Sequence, residues 1–298
     1  MVRYEEYEIE TDLVPSPVKY TVMIPNSYDD SNEKYPMMLI LHGGGGDNSF
    51  LKNQIGPVVN SLWDKGDTVE MIIATPDSDR SLYLDYRDGS QKWESFIIEE
   101  FLPFLQTKYR VENDTSKHFI GGISMGGMGS LRMAFKYPNK FGVVMSFEPG
   151  IEPALEWKDV KVEDKFYRAQ EFLEERFGSP IDENYWKVNN PASILNNNPE
   201  KIMESGLKIY LEVGTEDMLY LFHGTEFLHR ILYDNNIKHE FRYVYGADHV
   251  GSSFRERLIN GFSFLKRVLD LPDPNLDPQI TAARKVIDVM KKKAGLNK

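Results

Sequence analysis

Two hydrophobic patterns divide the chain. In its first part apolar and polar residues alternate: Tyr7 and Ile9, then Val18, Tyr20 and Val22, stand between polar neighbours. That is the period of strands with one solvated face, so antiparallel strands are expected here, ending at Ile24-Pro25. From Met37 onward the strand-like runs are short and mainly apolar, at 37–41, 71–74, 119–123, 143–147, 208–213 and 241–245, the first of them continuously so. Runs of this kind fit strands covered on both faces, as in a parallel sheet. Between them lie stretches of helical period. A helix is expected over 54–64, and another carries Trp93, Phe96, Ile97, Phe101, Leu102 and Leu105, with Pro103 predicted to kink it. Further helices follow residue 124, stopping near Tyr137-Pro138, and over 220–234 and 253–269.

Residues 151–205 break this rhythm. A helical piece at 166–177 gives way to an Asn- and Pro-rich stretch over 189–199, read as loops, and the segment is expected to be an insertion over the end of the sheet. Pro272, Pro274 and Pro278 mark a linker, and a last helix carries Ile280, Ala283, Ile287 and Met290 on one face, expected to dock on the body or on a second subunit. The expected organisation is one α/β domain over 1–271, with a linker and an amphipathic helix over 272–298. Its architecture is a mostly parallel sheet with helices on both faces.

Composition narrows the function. The chain has 298 residues, 41% hydrophobic and 27% charged, enough for one large core. A formal net charge of −11 makes nucleic acid and anionic membranes poor partners. There are no cysteines, hence no disulfide, thiol nucleophile or thiolate metal site. No apolar stretch approaches the length of a membrane span, and the charged start Met1-Val2-Arg3-Tyr4-Glu5-Glu6 lacks the apolar region of a leader, so a cytoplasmic location is expected.

The chemistry centres on Gly122-Ile123-Ser124-Met125-Gly126, a G-x-S-x-G pentapeptide between an apolar run and a helix-forming run. In that context the turn holds its serine strained and exposed at the end of a sheet, and the glycines serve because strand and helix pass too close for a Cβ. Without a base, an acid and an oxyanion hole, Ser124 would be no more than a helix cap. Ligands of such sheets bind beyond the carboxyl ends of the strands, where His42-Gly43, Ser124, Asp217 and His249 all fall. Of six histidines, His249 stands in a glycine-flanked loop after the last strand and is the candidate base. His118 and His239 begin strands, His223 and His229 share a helix, and His42 is expected to orient the glycine loop by hydrogen bonding. Asp217, between Ser124 and His249 in chain order, is the candidate acid, with Glu216 as its nearest rival. The oxyanion hole needs two converging N–H groups, assigned to Met125 and to Gly44 of the run His42-Gly43-Gly44-Gly45-Gly46. That run lacks the Lys-Ser/Thr of a phosphate loop.

With these residues placed, the chain resembles the esterase D group of α/β-hydrolases, which includes S-formylglutathione hydrolases and the feruloyl and acetyl-xylan esterases of carbohydrate esterase family one. The resemblance covers about residues 15–268 and rests on six stretches. They are Val18-Lys19-Tyr20-Thr21-Val22 with Pro25, Tyr35-Pro36 before Leu41-His42-Gly43-Gly44-Gly45-Gly46, Trp93-Glu94, Gly122 to Gly127, Gly214-Thr215-Glu216-Asp217-Met218-Leu219-Tyr220, and Gly246-Ala247-Asp248-His249. It implies the α/β-hydrolase fold and a cofactor-free, metal-free ester hydrolase with Ser124, Asp217 and His249 as triad and Gly44 and Met125 as oxyanion hole. The run Val250-Gly251-Ser252-Ser253-Phe254 lacks the tryptophan that often follows the histidine in cell-wall members, and the last helix is extra.

The expected activity is serine carboxylesterase, on soluble small-molecule or oligosaccharide esters with a short-chain or aromatic acyl group and a polar alcohol such as a sugar. Acyl transfer through the same acyl-enzyme, and a non-catalytic binding protein on the same fold, are the alternatives. Gly43, Tyr83, Trp93, Phe147 and Leu219 are the expected substrate contacts, beside aromatics of the insertion. The expected partner is the ester substrate alone, with no nucleic acid or membrane, and the last helix offers a face for a homo-oligomer.

Overall fold

The apolar runs come together as one eight-stranded sheet in the order β1-β2-β4-β3-β5-β6-β7-β8. The strands are β1 (Arg3–Ile9), β2 (Val18–Ile24), β3 (Met37–Leu41), β4 (Ile72–Pro76), β5 (His118–Ile123), β6 (Val143–Phe147), β7 (Lys208–Gly214) and β8 (His239–Val244). β2 runs against β1 and β4, and every other neighbouring pair is parallel. This is the α/β-hydrolase fold. The structure, a computed structural model, describes residues 2–271 and 277–296.

The parallel strands are buried on both sides, and their side chains divide with period two between two cores. Met37, Leu39 and Leu41 of β3 face one core, with Ile72, Ile120, Val144, Ile209 and Leu211. Met38 and Ile40 face the other, with Ile73, Phe119, Met145 and Tyr210. The second core is closed by the helices Gly56–Lys65 and Phe254–Leu269, through Val58, Leu62, Leu258 and Phe262. The first is closed by the helices Met125–Lys136, Pro191–Asn197 and Phe222–Asp234, through Leu131, Leu195 and Leu228.

Two sequence expectations are corrected by how proline is accommodated. Pro103 does not kink a uniform α-helix. The segment runs as α-helix at Trp93–Ser95, widens to a π-helical turn at Phe96–Phe101, and resumes as α-helix at Leu102–Lys108 with Pro103 in its first positions. The wider turn absorbs the missing donor. The Asn- and Pro-rich stretch after 189 is helical: Pro191 and Pro199 each open a helix, Pro191–Asn197 and Pro199–Glu204. Proline suits that position because its N–H would be unpaired there in any case. Within 151–205, Trp186, Leu195 and Ile202 are buried in the main core.

Pro272 and Pro274 of the expected linker lie outside the described residues. Pro278 opens the helix Pro278–Lys293, capped by Asp277 Oδ1, which accepts from the amides of Gln279 and Ile280 at 2.8 and 3.2 Å. No residue of this helix is buried, so its Ile280, Ala283, Ile287 and Met290 face does not pack on the body as expected. Among the described residues no helix is long and apolar enough to cross a membrane.

Candidate active site

The site is assembled from loops that leave the carboxyl ends of the strands. Six of the seven non-glycine residues with positive φ among the described residues lie in them: Asp79, Leu82 and Tyr83 after β4, Ser124 after β5, Glu148 after β6 and Tyr220 after β7. Backbone in such regions costs about 1–3 kcal/mol per residue and persists where the surroundings force it.

Ser124 has φ 57° and ψ −115°, between the end of β5 and the first residue of the helix Met125–Lys136. Its backbone is held on both sides: the N–H donates to Phe147 O at 2.9 Å, and its carbonyl accepts from Met128 and Gly150 at 3.0 and 3.2 Å. The flanking glycines are required by contact. A Cβ on Gly122 would stand 2.5 Å from the Gly126 carbonyl carbon, and one on Gly126 would stand 2.1 Å from Leu41 O. The amide of Met125 belongs to the first helical turn and has no partner within the helix. Gly44 lies beside it: a Cβ there would meet Met125 Cβ at 4.0 Å and Sδ at 3.9 Å. A Cβ on Gly43 would stand 3.5 Å from Ser124 Cβ.

His42 fixes the glycine loop. Its imidazole is fully buried, Nδ1 bonds Gly43 O at 2.7 Å, and Nε2 accepts from the Ser78 amide at 3.1 Å. One donor and one acceptor define the neutral tautomer. Burial lowers its pKa, in keeping with an uncharged ring. The Gly43 carbonyl also closes a turn by accepting from Gly46 N at 3.0 Å.

Asp217 and His249 meet across 32 residues of chain: His249 Nδ1 donates to Asp217 Oδ2 at 2.8 Å. Asp217 is buried, and its other oxygen accepts from the Leu219 amide at 2.8 Å. Glu216 is exposed, its carboxylate taken by the Thr215 hydroxyl at 3.2 Å. Asp248 ties the two loops together, since its Oδ1 accepts from the amides of both Met218 (3.0 Å) and His249 (2.6 Å). The other histidines are engaged elsewhere. His118 Nε2 bonds Glu112 O at 2.7 Å, His229 bonds His239 at 2.8 Å, and His223 stands 3.7 Å from Asp164.

Ser124, His249, Gly43 and Gly44 open on one cavity of about 900 Å³. Its walls are Phe50, Leu82, Ile123, Phe172, Leu219 and Phe254, with Gln54, Arg80, Tyr167 and Arg168 as polar members.

The model of the Esterase family ("Putative esterase") matches residues 12–265. The chain belongs to the Esterase family. Among its relatives, Esterase Rv1288 of Mycobacterium tuberculosis is 27% identical over 144 residues, 47% of this chain and 31% of that protein. The chain thus spans about a third of that relative's length. A solved ferulic acid esterase superposes with TM-score 0.73 at 21% identity, covering 90% of this chain and 99% of its own. The S-formylglutathione hydrolase of Agrobacterium tumefaciens superposes with TM-score 0.68 at 16% identity, covering 88% and 92%. Family and fold together support a carboxylic ester hydrolase.

In this member of the Esterase family the cavity takes only part of the expected contact set. Gly43 and Leu219 line it, and from the segment 151–205 so do Tyr167 and Phe172. Tyr83, Trp93 and Phe147 are not among its lining residues. Tyr83 is fully buried beneath the glycine loop, its hydroxyl donating to His42 O at 3.2 Å, and a Cβ on Gly129 would touch its ring at 2.9 Å. Trp93 is buried against Phe96, with its N–H on Gln91 Oε1 at 2.7 Å. Phe147 shares a face of β6 with Val143 and Met145 and packs in the second core against Tyr210 and Phe254. Of the polar residues in the loop after β4, Arg80 lines the cavity, whereas Asp85 caps the helix at Ser95 (3.0 Å) and Arg87 pairs with Asp182 (2.7 Å).

The sequence reading missed the buried pair Glu148–Arg257 behind the His249–Asp217 bond. A local signal exists. Glu148 ends an apolar strand before Pro149-Gly150, and Arg257 sits among Phe254, Leu258 and Gly261 on the buried stripe of its helix. A charge on such a stripe calls for a buried partner.

Proposed function

We propose that the protein is a serine carboxylesterase that hydrolyses soluble esters with short-chain or aromatic acyl groups, using Ser124, His249 and Asp217. The observation that carries this reading is the 2.8 Å His249–Asp217 bond, opening on the same cavity as the strained Ser124. With Nδ1 engaged by Asp217, the free Nε2 of His249 is the atom that takes the serine proton. Ser124 Oγ then adds to the ester carbonyl, and the amides of Met125 and Gly44 hold the developing oxyanion. His249 returns the proton to the departing alkoxide as the acyl-enzyme forms. A water molecule, deprotonated by the same nitrogen, releases the acid and restores Ser124. Asp217 holds the tautomer and steadies the imidazolium.

The cavity supports the substrate class. At about 900 Å³ it matches a small-molecule site, and its aromatic and aliphatic walls suit a compact acyl group. Arg80, whose Nε would stand 3.9 Å from a Cβ on Gly44, and Gln54 on the same cavity lining suit a polar alcohol, with a sugar as one form of it. The test is a panel of esters differing in acyl length and aromaticity, assayed with wild type and Ser124→Ala and combined with organophosphonate labelling. Acetyl to butyryl and hydroxycinnamoyl esters should exceed chains of twelve carbons or more in kcat/KM, and label should appear on Ser124 alone. Turnover or stoichiometric labelling by Ser124→Ala, or a rate rising steadily with acyl length, refutes the reading.

A further inference from the structure

Behind the His249–Asp217 bond lies a buried ionic pair that the steps above do not use. Glu148 is fully buried at the end of β6, with φ 47°. Its carboxylate pairs with the Arg257 guanidinium, itself buried on the helix Phe254–Leu269. Both Glu148 oxygens accept from the Gly214 amide at 3.2 Å, at the end of the strand that delivers Asp217. Arg257 Nη2 donates to the carbonyl of His249 at 3.3 Å. The pair therefore grips the backbone on either side of the His249–Asp217 bond. Glu148 also comes close to the chemistry itself: a carboxylate oxygen of Glu148, one of Asp217 and a ring nitrogen of His249 all lie within 4.8 Å of one another.

A buried ion pair is a poor source of stability, because desolvation offsets its attraction, and positive φ at a glutamate adds strain. Its place behind the site points to another role. We propose that Glu148, held by Arg257, is a positioning residue of this active site: it fixes the His249 loop against the end of β7 and adds a second negative charge that steadies the imidazolium. The proposal rests on the Ser124–His249–Asp217 reading.

The other charged and titratable groups near His249 are accounted for. Asp248 is used by the amides of Met218 and His249. Arg168, across the cavity, is paired with Glu152, and Tyr167 is held protonated by burial. Arg80 lies on the cavity wall over Phe172, 5.0 Å from the ring centroid. Glu212 stands 3.6 Å from Arg257 Nε, and burial raises its carboxyl to about 7. Burial lowers Arg257 to about 10, so it stays charged through the neutral range. Glu148 thus joins Asp217 in bringing a carboxylate oxygen within 4.8 Å of a ring nitrogen of His249.

The experiment is the pH dependence of kcat/KM for wild type, Glu148→Gln, Arg257→Gln and the double variant, with Ser124→Ala as the control for the triad reading. Gln keeps an acceptor for the Gly214 amide but removes the charge. Loss of a unit charge at 4.8 Å corresponds to about 0.6 to 2.5 pH units between effective dielectrics of ~80 and ~20. Glu148→Gln should move the acid limb to lower pH by an amount in that range, because the imidazolium loses an anion and faces a guanidinium left with Glu212 alone. Arg257→Gln should move it the other way, and the double variant should fall between the two. Glu148→Asp and Arg257→Lys keep the charges and loosen the grip, so they should lower kcat and leave the limb in place. If Glu148→Gln leaves the limb within about 0.2 unit of wild type, or both Gln variants move it the same way, the proposal is overturned while an inactive Ser124→Ala leaves the triad standing. An active Ser124→Ala overturns the reading beneath it.

Discussion

The turn at Ser124 can be weighed by stability as well as by activity. At φ 57° and ψ −115° a residue with a Cβ is strained, at a cost of about 1–3 kcal/mol. Ser124→Ala deletes the hydroxyl and keeps the Cβ, and with it the strain. Ser124→Gly deletes both. Against the relief stand two smaller terms. Glycine gains freedom in the unfolded chain, worth about 0.4–1 kcal/mol, and a half-buried methyl is lost, worth about 0.4 kcal/mol. Taking about 2 kcal/mol of strain, Ser124→Gly should be more stable than Ser124→Ala by about 1 kcal/mol. A chain of 298 residues has an unfolding entropy of about 0.6 kcal/mol/K, so the difference is about 1.5 °C in Tm. Scanning calorimetry on both variants, checked by urea unfolding at 25 °C, resolves a shift of that size. Both variants should be inactive. The clamps on the backbone, Ser124 N–H to Phe147 O and Gly150 N–H to Ser124 O, survive both substitutions, so the comparison isolates the Cβ. A glycine variant no more stable than the alanine variant would show that the turn holds no steric strain.

Three further outcomes follow from the same geometry. Asp217→Asn should lower kcat by about 10⁴ through the wrong histidine tautomer, while exposed Glu216→Gln should change it less than about threefold; steady-state kinetics giving the reverse ranking would move the acid to Glu216. Burial raises the Glu212 carboxyl from 4.5 to about 7, so its contribution to stability is full below 4.5 and lost as pH rises through 7; the Tm of wild type minus that of Glu212→Gln should therefore fall between pH 5 and 8, and a constant difference refutes the assignment. Deleting residues 273–298 should leave Tm and kcat/KM within about 1 °C and about twofold, because no residue of the helix Pro278–Lys293 is buried; a larger drop in melting scans would show that the helix braces the body.

What the sequence revealed depended on whether one residue type served one purpose. Strands buried on both faces have to be continuously apolar, so β3 (Met37–Leu41) and β6 (Val143–Phe147) were legible to the residue. The turn at the end of β5 was legible because backbone crowding leaves no choice: a Cβ on Gly122 or Gly126 would stand 2.1–2.7 Å from carbonyl atoms, and only glycine fits. Proline is different, since it can break a helix or open one. Pro191 and Pro199 open theirs, which only the packing of Ile194, Leu195 and Ile202 into the core decides. Side-chain direction explains the misplaced pocket contacts. Phe147 ends a strand that points at the site, but parity with Val143 and Met145 sends its ring into the second core. That parity was readable in the sequence. Which face carries the cavity was not, because it is settled by the loops that cross above the sheet. The same limit hid the pairing of Glu148 with Arg257, 109 residues apart: a charge on an apolar stripe signals a buried partner without saying which residue it is. Their link reaches the site through backbone, at the Gly214 amide and the His249 carbonyl, and backbone contacts leave no residue-type signature. The groups that hold a site in register are therefore the ones a single sequence conceals best, and the ones for which the three-dimensional arrangement carries most of the argument.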